Sequence, residues 1–221
     1  MFRSNCYLVG VTMRDQPTSG RRAQAARNDE LILESARDVY VDDPDAPISA
    51  VARRAGVGIS ALYRRFESKE DLLRRLCGDG LKRYLEEAEL ALADAADPWN
   101  SFTRFLKSIV DADTASLTLR LAGTFTPTED LVADALRSQE LNIQLVERTK
   151  ASGDLRADFD VNDLSLIIEQ IAAIRVGDAE RTRQLRRRYL ALTLEALHGS
   201  GATPLPGPPP TWEELSERWV S

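Results

Sequence analysis

Val51-Ala52-Arg53-Arg54-Ala55-Gly56-Val57-Gly58-Ile59-Ser60-Ala61-Leu62-Tyr63-Arg64-Arg65-Phe66 is the stretch of this 221-residue chain whose reading decides the fold. A short helix is expected from about Ile48 to Ala55, ended by Gly56 in a left-handed conformation, and a second from Ile59 to Phe66. Two short helices about a tight glycine turn form a helix-turn-helix. Ala52, Ala55, Val57, Leu62 and Phe66 are spaced to make a small core, with alanine where the helices cross most closely. Steps of about 100° from Ile59 put Leu62 and Phe66 on one side of the second helix, and Ile59, Ser60, Tyr63 and Arg64 on the other.

That outward half can read a nucleic-acid duplex. It offers a thymine-methyl partner in Ile59, a hydroxyl in Ser60, a ring with a phenol tip in Tyr63 and a guanidinium in Arg64. The free backbone N–H groups at the start of a helix favour phosphate as well. Charge supports the same reading. From Ala46 to Phe66 there is no acid, while Arg53, Arg54, Arg64 and Arg65 give +4; since the whole chain is −6, the other 200 residues carry −10. A basic patch on an acidic body implies one local contact with a polyanion and repulsion elsewhere. An ordinary solvated face is the rival meaning of such a cluster, and the absence of any interspersed acid argues against it.

Working outward, the segment before the motif carries Leu31, Ile32, Ser35, Ala36 and Val39 at helical spacing, which predicts a helix from about Asn28 that stops before Asp42-Asp43-Pro44. Residues 1–26 lack periodicity and are expected to be a flexible arm. After the motif, Ser68-Lys69-Glu70-Asp71 has the form of a helix start, a serine cap with acids in the first turn. The helix should continue past Leu85 and connect two domains. Asp97-Pro98 opens another helix, bearing Trp99, Phe102, Phe105, Leu106 and Ile109. A break around Gly123 to Thr128 separates Leu117, Leu119 and Leu121 from a helix of Leu131, Leu136, Leu141, Leu145 and Val146. Two further helices are expected over 162–176 and 179–197, joined only by Gly177-Asp178. Residues 201–221 form a proline-rich tail, with Trp212 and Trp219 as its expected anchors.

The motif resembles the hallmark of the tetracycline-repressor (TetR) family of regulators, approximately Ala-Gly-Val-Ser-x-x-Thr-Leu-Tyr-x-x-Phe followed by Ser-Lys-Glu-x-Leu. The likeness runs from Val51 to Leu73, with Gly58 where the family prefers Ser and Ala61 where it prefers Thr. It implies an all-α protein with a three-helix DNA-binding head (27–74) and a larger helical bundle (75–200) that senses a ligand and dimerises. Tyr63, Arg64, Arg65 and Lys69 are then expected at the DNA backbone and Ile59, Ser60 and Ala61 at the major groove, with Arg53 and Gly58 also among the expected DNA-binding residues. The resemblance implies an apolar ligand cavity, for which Trp99, Phe102, Phe105, Leu121 and Phe125 are the candidates, with plain core as the competing reading. It also implies a dimer interface, with candidates Leu166, Ile167, Ile171, Ile174, Tyr189, Leu192 and Leu194. The expected partners are a double-stranded DNA operator, a second copy of the chain and a small hydrophobic or amphipathic effector. The expected role is a ligand-responsive repressor. An activator, or a relative that no longer binds DNA, is the alternative that the missing hydroxyls keep open.

Other chemistry finds little support. Glu195 and His198 have Glu-x-x-His spacing, but a di-metal bundle needs two such pairs and His198 is the single histidine. One late histidine supplies no nucleophile triad either, so neither an enzyme on a helical bundle nor a metal or cofactor is expected. Cys6 and Cys77 have no metal-ligand spacing and are expected to be reduced thiols. No apolar run approaches the roughly 18 residues of a membrane span, and the expected location is the cytoplasm, with no membrane partner.

Overall fold

The computed structural model describes residues 18–94, 96–113, 117, 121, 123–199 and 203–217, with side chains from residue 27 onward. The head begins with α1 (Thr18–Asp42), followed by α2 (Ile48–Arg54) and α3 (Ile59–Tyr63). The long α4 (Lys69–Ala93) leads into the body of α5 (Pro98–Ala112), α6 (Glu129–Ala151), α7 (Val161–Ala172) and α8 (Ala179–Leu197), and a short α9 (Trp212–Ser216) ends the described chain. The fold is all-α. None of these helices is long and apolar enough to cross a membrane.

The caps are set by local chemistry. Ser68 Oγ accepts from the Asp71 backbone N–H (3.1 Å) at the start of α4, and Asp97 does the same for Asn100 (2.8 Å) with Pro98 in the first turn of α5. Asp160 and Asp163 exchange hydrogen bonds as a capping box on α7, and Asp178 caps α8. Between α2 and α3, Gly56 has φ +66, the left-handed region where an L side chain is strained.

Two apolar clusters organise the chain. The first holds Ile32, Ala36 and Tyr40 of α1, Val51 and Ala52 of α2, Leu62 and Phe66, and the first part of α4 through Cys77. The second lies in the body, where Phe102, Phe105, Leu141, Leu145, Leu164 and Leu194 bring together α5 to α8. Leu117, Leu121 and Phe125, which follow α5, belong to the first cluster and not the second. The body therefore reaches into the head through this segment.

Several boundaries differ from the expected ones for identifiable reasons. α1 begins at Thr18, well before Asn28. Its first turns are rich in Ala and Arg, good helix formers that carry no apolar stripe to be recognised by. Residues 1–17, and with them Cys6 and most of the expected arm, lie outside the described residues, as do Leu119 and Trp219. α3 ends at Tyr63, and Phe66 is reached through a further turn in which its N–H bonds the Leu62 carbonyl (3.0 Å). α7 stops at Ala172, short of Val176, because the Arg186 guanidinium takes up the carbonyls of Ala172 (2.7 Å) and Ile174 (3.1 Å) that end it. The α7–α8 connection is correspondingly longer than Gly177-Asp178.

The tail is fastened to the body of its own chain. Arg156 forms a two-pronged pair with Asp158 (2.6 and 2.9 Å) and also donates to the Thr203 carbonyl (2.9 Å), while Asp158 accepts from the Leu205 N–H (2.9 Å). Leu215 is the buried residue of α9, whereas Trp212 is only half-buried.

Candidate nucleic-acid interface

The head presents the motif residues on two different surfaces. Leu62 is fully buried and Phe66 nearly so, and they tie α3 to α1 and α2. On the opposite side Ile59 is 40% and Tyr63 49% exposed, one turn apart on the surface of the helix. Ser60 and Arg64 are exposed beside them, Gly58 is exposed at the start of the helix, and Ala61 is half-buried. The structure thus brings Gly58, Ile59, Ser60, Tyr63 and Arg64 together on one outward face. Gly58 is the N-cap of α3 and makes no side-chain cap, so the first N–H groups of the helix are left for an external acceptor.

The cationic residues divide. Arg53 and Arg64 are exposed and form no ion pair among the described residues. Arg54 is paired with Asp38 of α1 (2.5 Å) and Arg65 with Asp29 of the same helix. Lys69 donates to the Pro44 carbonyl (2.8 Å) and lies 5.0 Å from the centre of the Tyr40 ring. Arg65 and Lys69, expected at DNA phosphates, are engaged in clasping α1 and the α1–α2 loop, and the spacing of charges along the chain carries no sign of this. Burial, and after it the nearby Tyr63, pushes the Tyr40 phenol up to about 12, so it stays neutral under the Lys69 cation.

The candidate sensor residues fall into separate places. Phe102 and Phe105 are fully buried in the body, with Tyr84 packed edge-on against Phe105 at 5.2 Å. Trp99 is half-buried and packs at a tilt against His198 (4.6 Å between ring centres), the residue that follows the last turn of α8. Leu121 and Phe125 are in the head cluster. The candidates are therefore not the lining of one space. Tyr84 donates to Asn142 Oδ1 (2.8 Å), a buried polar link between α4 and α6, and its phenol is pushed up by desolvation.

The candidate dimer residues also divide. Ile171 and Leu194 are buried within the chain's own body core, and Leu166, Ile167 and Ile174 are half-buried. Tyr189 (50%) and Leu192 (55%) stand exposed on one side of α8.

Comparison with known proteins places this architecture. Residues 32–76 match the family model for bacterial regulatory proteins of the tetR family. The helix-turn-helix head is similar to that family, and the chain as a whole shares the all-α fold of solved regulators of this kind. Over 80 residues the chain is 35% identical to the transcriptional repressor LfrR of Mycolicibacterium smegmatis, a match covering 36% of this chain and 38% of the repressor's length. The ketosteroid transcriptional regulator KstR2 of Mycobacterium tuberculosis is similar in structure, with a TM-score of 0.59 and 19% identity over 79% of this chain and 96% of that one. LfrR from Mycobacterium smegmatis in complex with proflavine gives 0.55 and 20% over 81% and 99%. The family and these relatives are transcriptional regulators, not enzymes.

Proposed function

We propose that the chain is a ligand-responsive transcriptional repressor that binds a pseudo-palindromic operator as a homodimer and is released by a small hydrophobic or amphipathic effector. The observation that carries this reading is the outward face of α3, where Ile59, Ser60, Tyr63 and Arg64 are exposed over a core built by Leu62 and Phe66. A rigid, short helix with apolar, hydroxyl and guanidinium groups on one side suits a major groove. The acidic remainder of the chain disfavours any other contact with DNA.

In a homodimer the two α3 helices would enter successive major grooves about 34–36 Å apart, and occupancy of the operator would exclude polymerase. Of the residues expected at the dimer interface, Tyr189 and Leu192 on α8 are the exposed ones that a second copy would cover. Phe102 and Phe105 are so closely packed that an effector reaching them has to displace side chains. Its binding would favour a rearranged body over the one that holds the heads at operator spacing. Proflavine, the molecule in the LfrR complex, is a starting probe for the effector.

The test is selection of DNA by the purified protein, followed by titration of the selected site with the Tyr63→Phe/Arg64→Ala double variant. Affinity should fall and the salt dependence should lose about one phosphate contact. Unchanged affinity and slope would remove α3 from the interface. Sedimentation with and without the site reports the dimer.

One observation favours a relative of the same fold with weakened DNA binding: Gly58 caps α3 without a side-chain hydrogen bond, and Ala61 lacks a hydroxyl. A Cβ at Gly58 meets nothing within 4 Å, so Gly58→Ser fits without rearrangement. A wild type that selects no DNA, together with a serine variant that does, would establish this second reading.

A further inference from the structure

The last turn of α5 is gripped from both sides. From the body, Arg187 Nε donates to Asp111 (2.6 Å), and Arg186 pairs with Asp113 (2.7 Å). From the head, Arg37 Nη1 of α1 donates to the carbonyl oxygen of Ala112 (3.3 Å). Three successive residues of one turn thus receive three guanidinium groups, two from α8 and one from α1.

Arg186 is 4% exposed and uses all three of its nitrogens, Nε on Ile174, Nη2 on Ala172 and Nη1 on Asp113. A buried cation with each of its three nitrogens engaged is held in place. Asp113 is the non-glycine residue with positive φ among the described residues (φ 51, ψ 34). Asp tolerates that region better than most residues but does not prefer it. The carboxylate that pairs with Arg186 is therefore attached to the backbone position where α5 breaks. A void of about 10 Å³, lined by Val110, Asp113, Ile168, Ile171, Ala172 and Arg186, lies beside the pair. Beyond Asp113 the chain supplies Leu117, Leu121 and Phe125 to the core of the head. A second link runs in parallel, from Arg175 in the α7–α8 connection to Asp42 at the end of α1 (3.6 Å).

α4 is the covalent link between head and body, with its first part in the head core and its last part in the body core. We propose that the Asp111–Asp113 turn, held by Arg186 and Arg187 on one side and Arg37 on the other, is the joint that sets the angle of the head on the body. Arg37, Asp113 and Arg186 are positioning residues: a displacement of α8 against α5 moves Asp113, and through the same turn moves both the Arg37 anchor and the segment packed into the head. The consequence for operator affinity rests on the reading proposed above, whereas the geometry of the joint does not.

The test measures the angle without DNA. Nitroxide labels at Glu67→Cys on the head and Gln144→Cys on the body, both exposed positions, report the distance within one chain when labelled protein is diluted with unlabelled. Cys6 is replaced by serine, and Cys77 stays unlabelled because burial pushes its thiol up to about 12. Wild type should give one narrow distance distribution. Arg37→Met and Asp113→Asn should each broaden it. Asparagine keeps the left-handed preference while removing the charge, so broadening there belongs to the ion pair. The double variant should be no broader than either single variant, and Arg37→Lys, which restores a single donor, should narrow the distribution again. An unchanged distribution in Arg37→Met, broadening that adds in the double variant, or failure of Arg37→Lys to rescue would overturn the proposal, and the Arg37 series decides it even if Asp113→Asn does not fold. On the selected operator the same variants should lose about tenfold in affinity. A wild type that binds no DNA but gives the predicted distance pattern would sink the repressor reading and leave the joint standing.

Discussion

Head and body are both built of amphipathic helices, yet they assemble from different distances along the chain. In the head, Val51, Ala52, Leu62 and Phe66 come from one continuous stretch and share a core mostly with α1 and α4, joined by the three residues that follow α5 and by Leu131 of α6. In the body, Phe105 shares its cluster with Leu145, Leu164 and Leu194, each from a different helix. The head core is consequently specified by a short motif, while the body core depends on several helices arriving together. The same contrast governs what is exposed. The head shows polar and apolar groups interleaved at the surface of α3, and the body buries Phe102, Phe105 and Phe159 while leaving Tyr189 exposed on α8.

This contrast can be broken most forcefully at the body core. Phe105→Ala removes a fully buried ring from the meeting point of the body helices and should cost about 3–5 kcal/mol of stability, measured by denaturant unfolding. If the head were independent of the body, its own unfolding transition would be unchanged; because Leu117, Leu121 and Phe125 lie in the head core, both transitions should shift together.

A smaller effect belongs to the turn of the motif. Gly56 has open space where a Cβ would stand but φ +66, so Gly56→Ala should destabilise the head by about 1 kcal/mol through backbone strain alone. A variant as stable as the wild type in thermal melts would show that the turn relaxes and that Gly56 is not what fixes it.

The smallest effect is confined to the tail. The Arg156 guanidinium, and after it the Leu205 N–H, hold the Asp158 carboxyl well below the ordinary carboxylate range. A native pKa below the unfolded value of about 3.9 means that the contribution is complete above that value and is lost as pH falls through the native one. The tail should therefore stay fastened at neutral and mildly acidic pH. Asp158→Asn should release it at pH 7, seen as faster proteolytic cleavage after residue 203 with no change in the melting of the body. Equal cleavage rates in both proteins would show that Leu215 alone holds the tail.

Much of the head was legible because its signals are local. Gly56 marks the turn, Ser68 marks the start of α4, and the steps from Ile59 to Phe66 separate the core side from the outward side whatever the rest of the chain does. The division among the basic residues was not legible. Arg65 and Lys69 sit in the same run as Arg64, but their partners Asp29 and Pro44 are supplied by α1 and the loop that follows it. The grouping of Trp99, Phe102 and Phe105 with Leu121 and Phe125 failed to become one site for a related reason. All five are apolar residues in neighbouring helical segments, and only packing assigns them to two different clusters.

By itself the sequence determined an all-α chain with a helix-turn-helix, its glycine turn, the helix starts at Ser68 and Asp97 and the outward face of α3, since each depends on backbone preferences and periodicity over a few residues. Tertiary structure decided where α7 ends, which cations remain available to solvent, and how the head is attached to the body. Those outcomes turn on side chains such as Arg186 and Arg37 reaching carbonyls and carboxylates far away in the chain, and a guanidinium carries no mark in the sequence of the acceptor it will find.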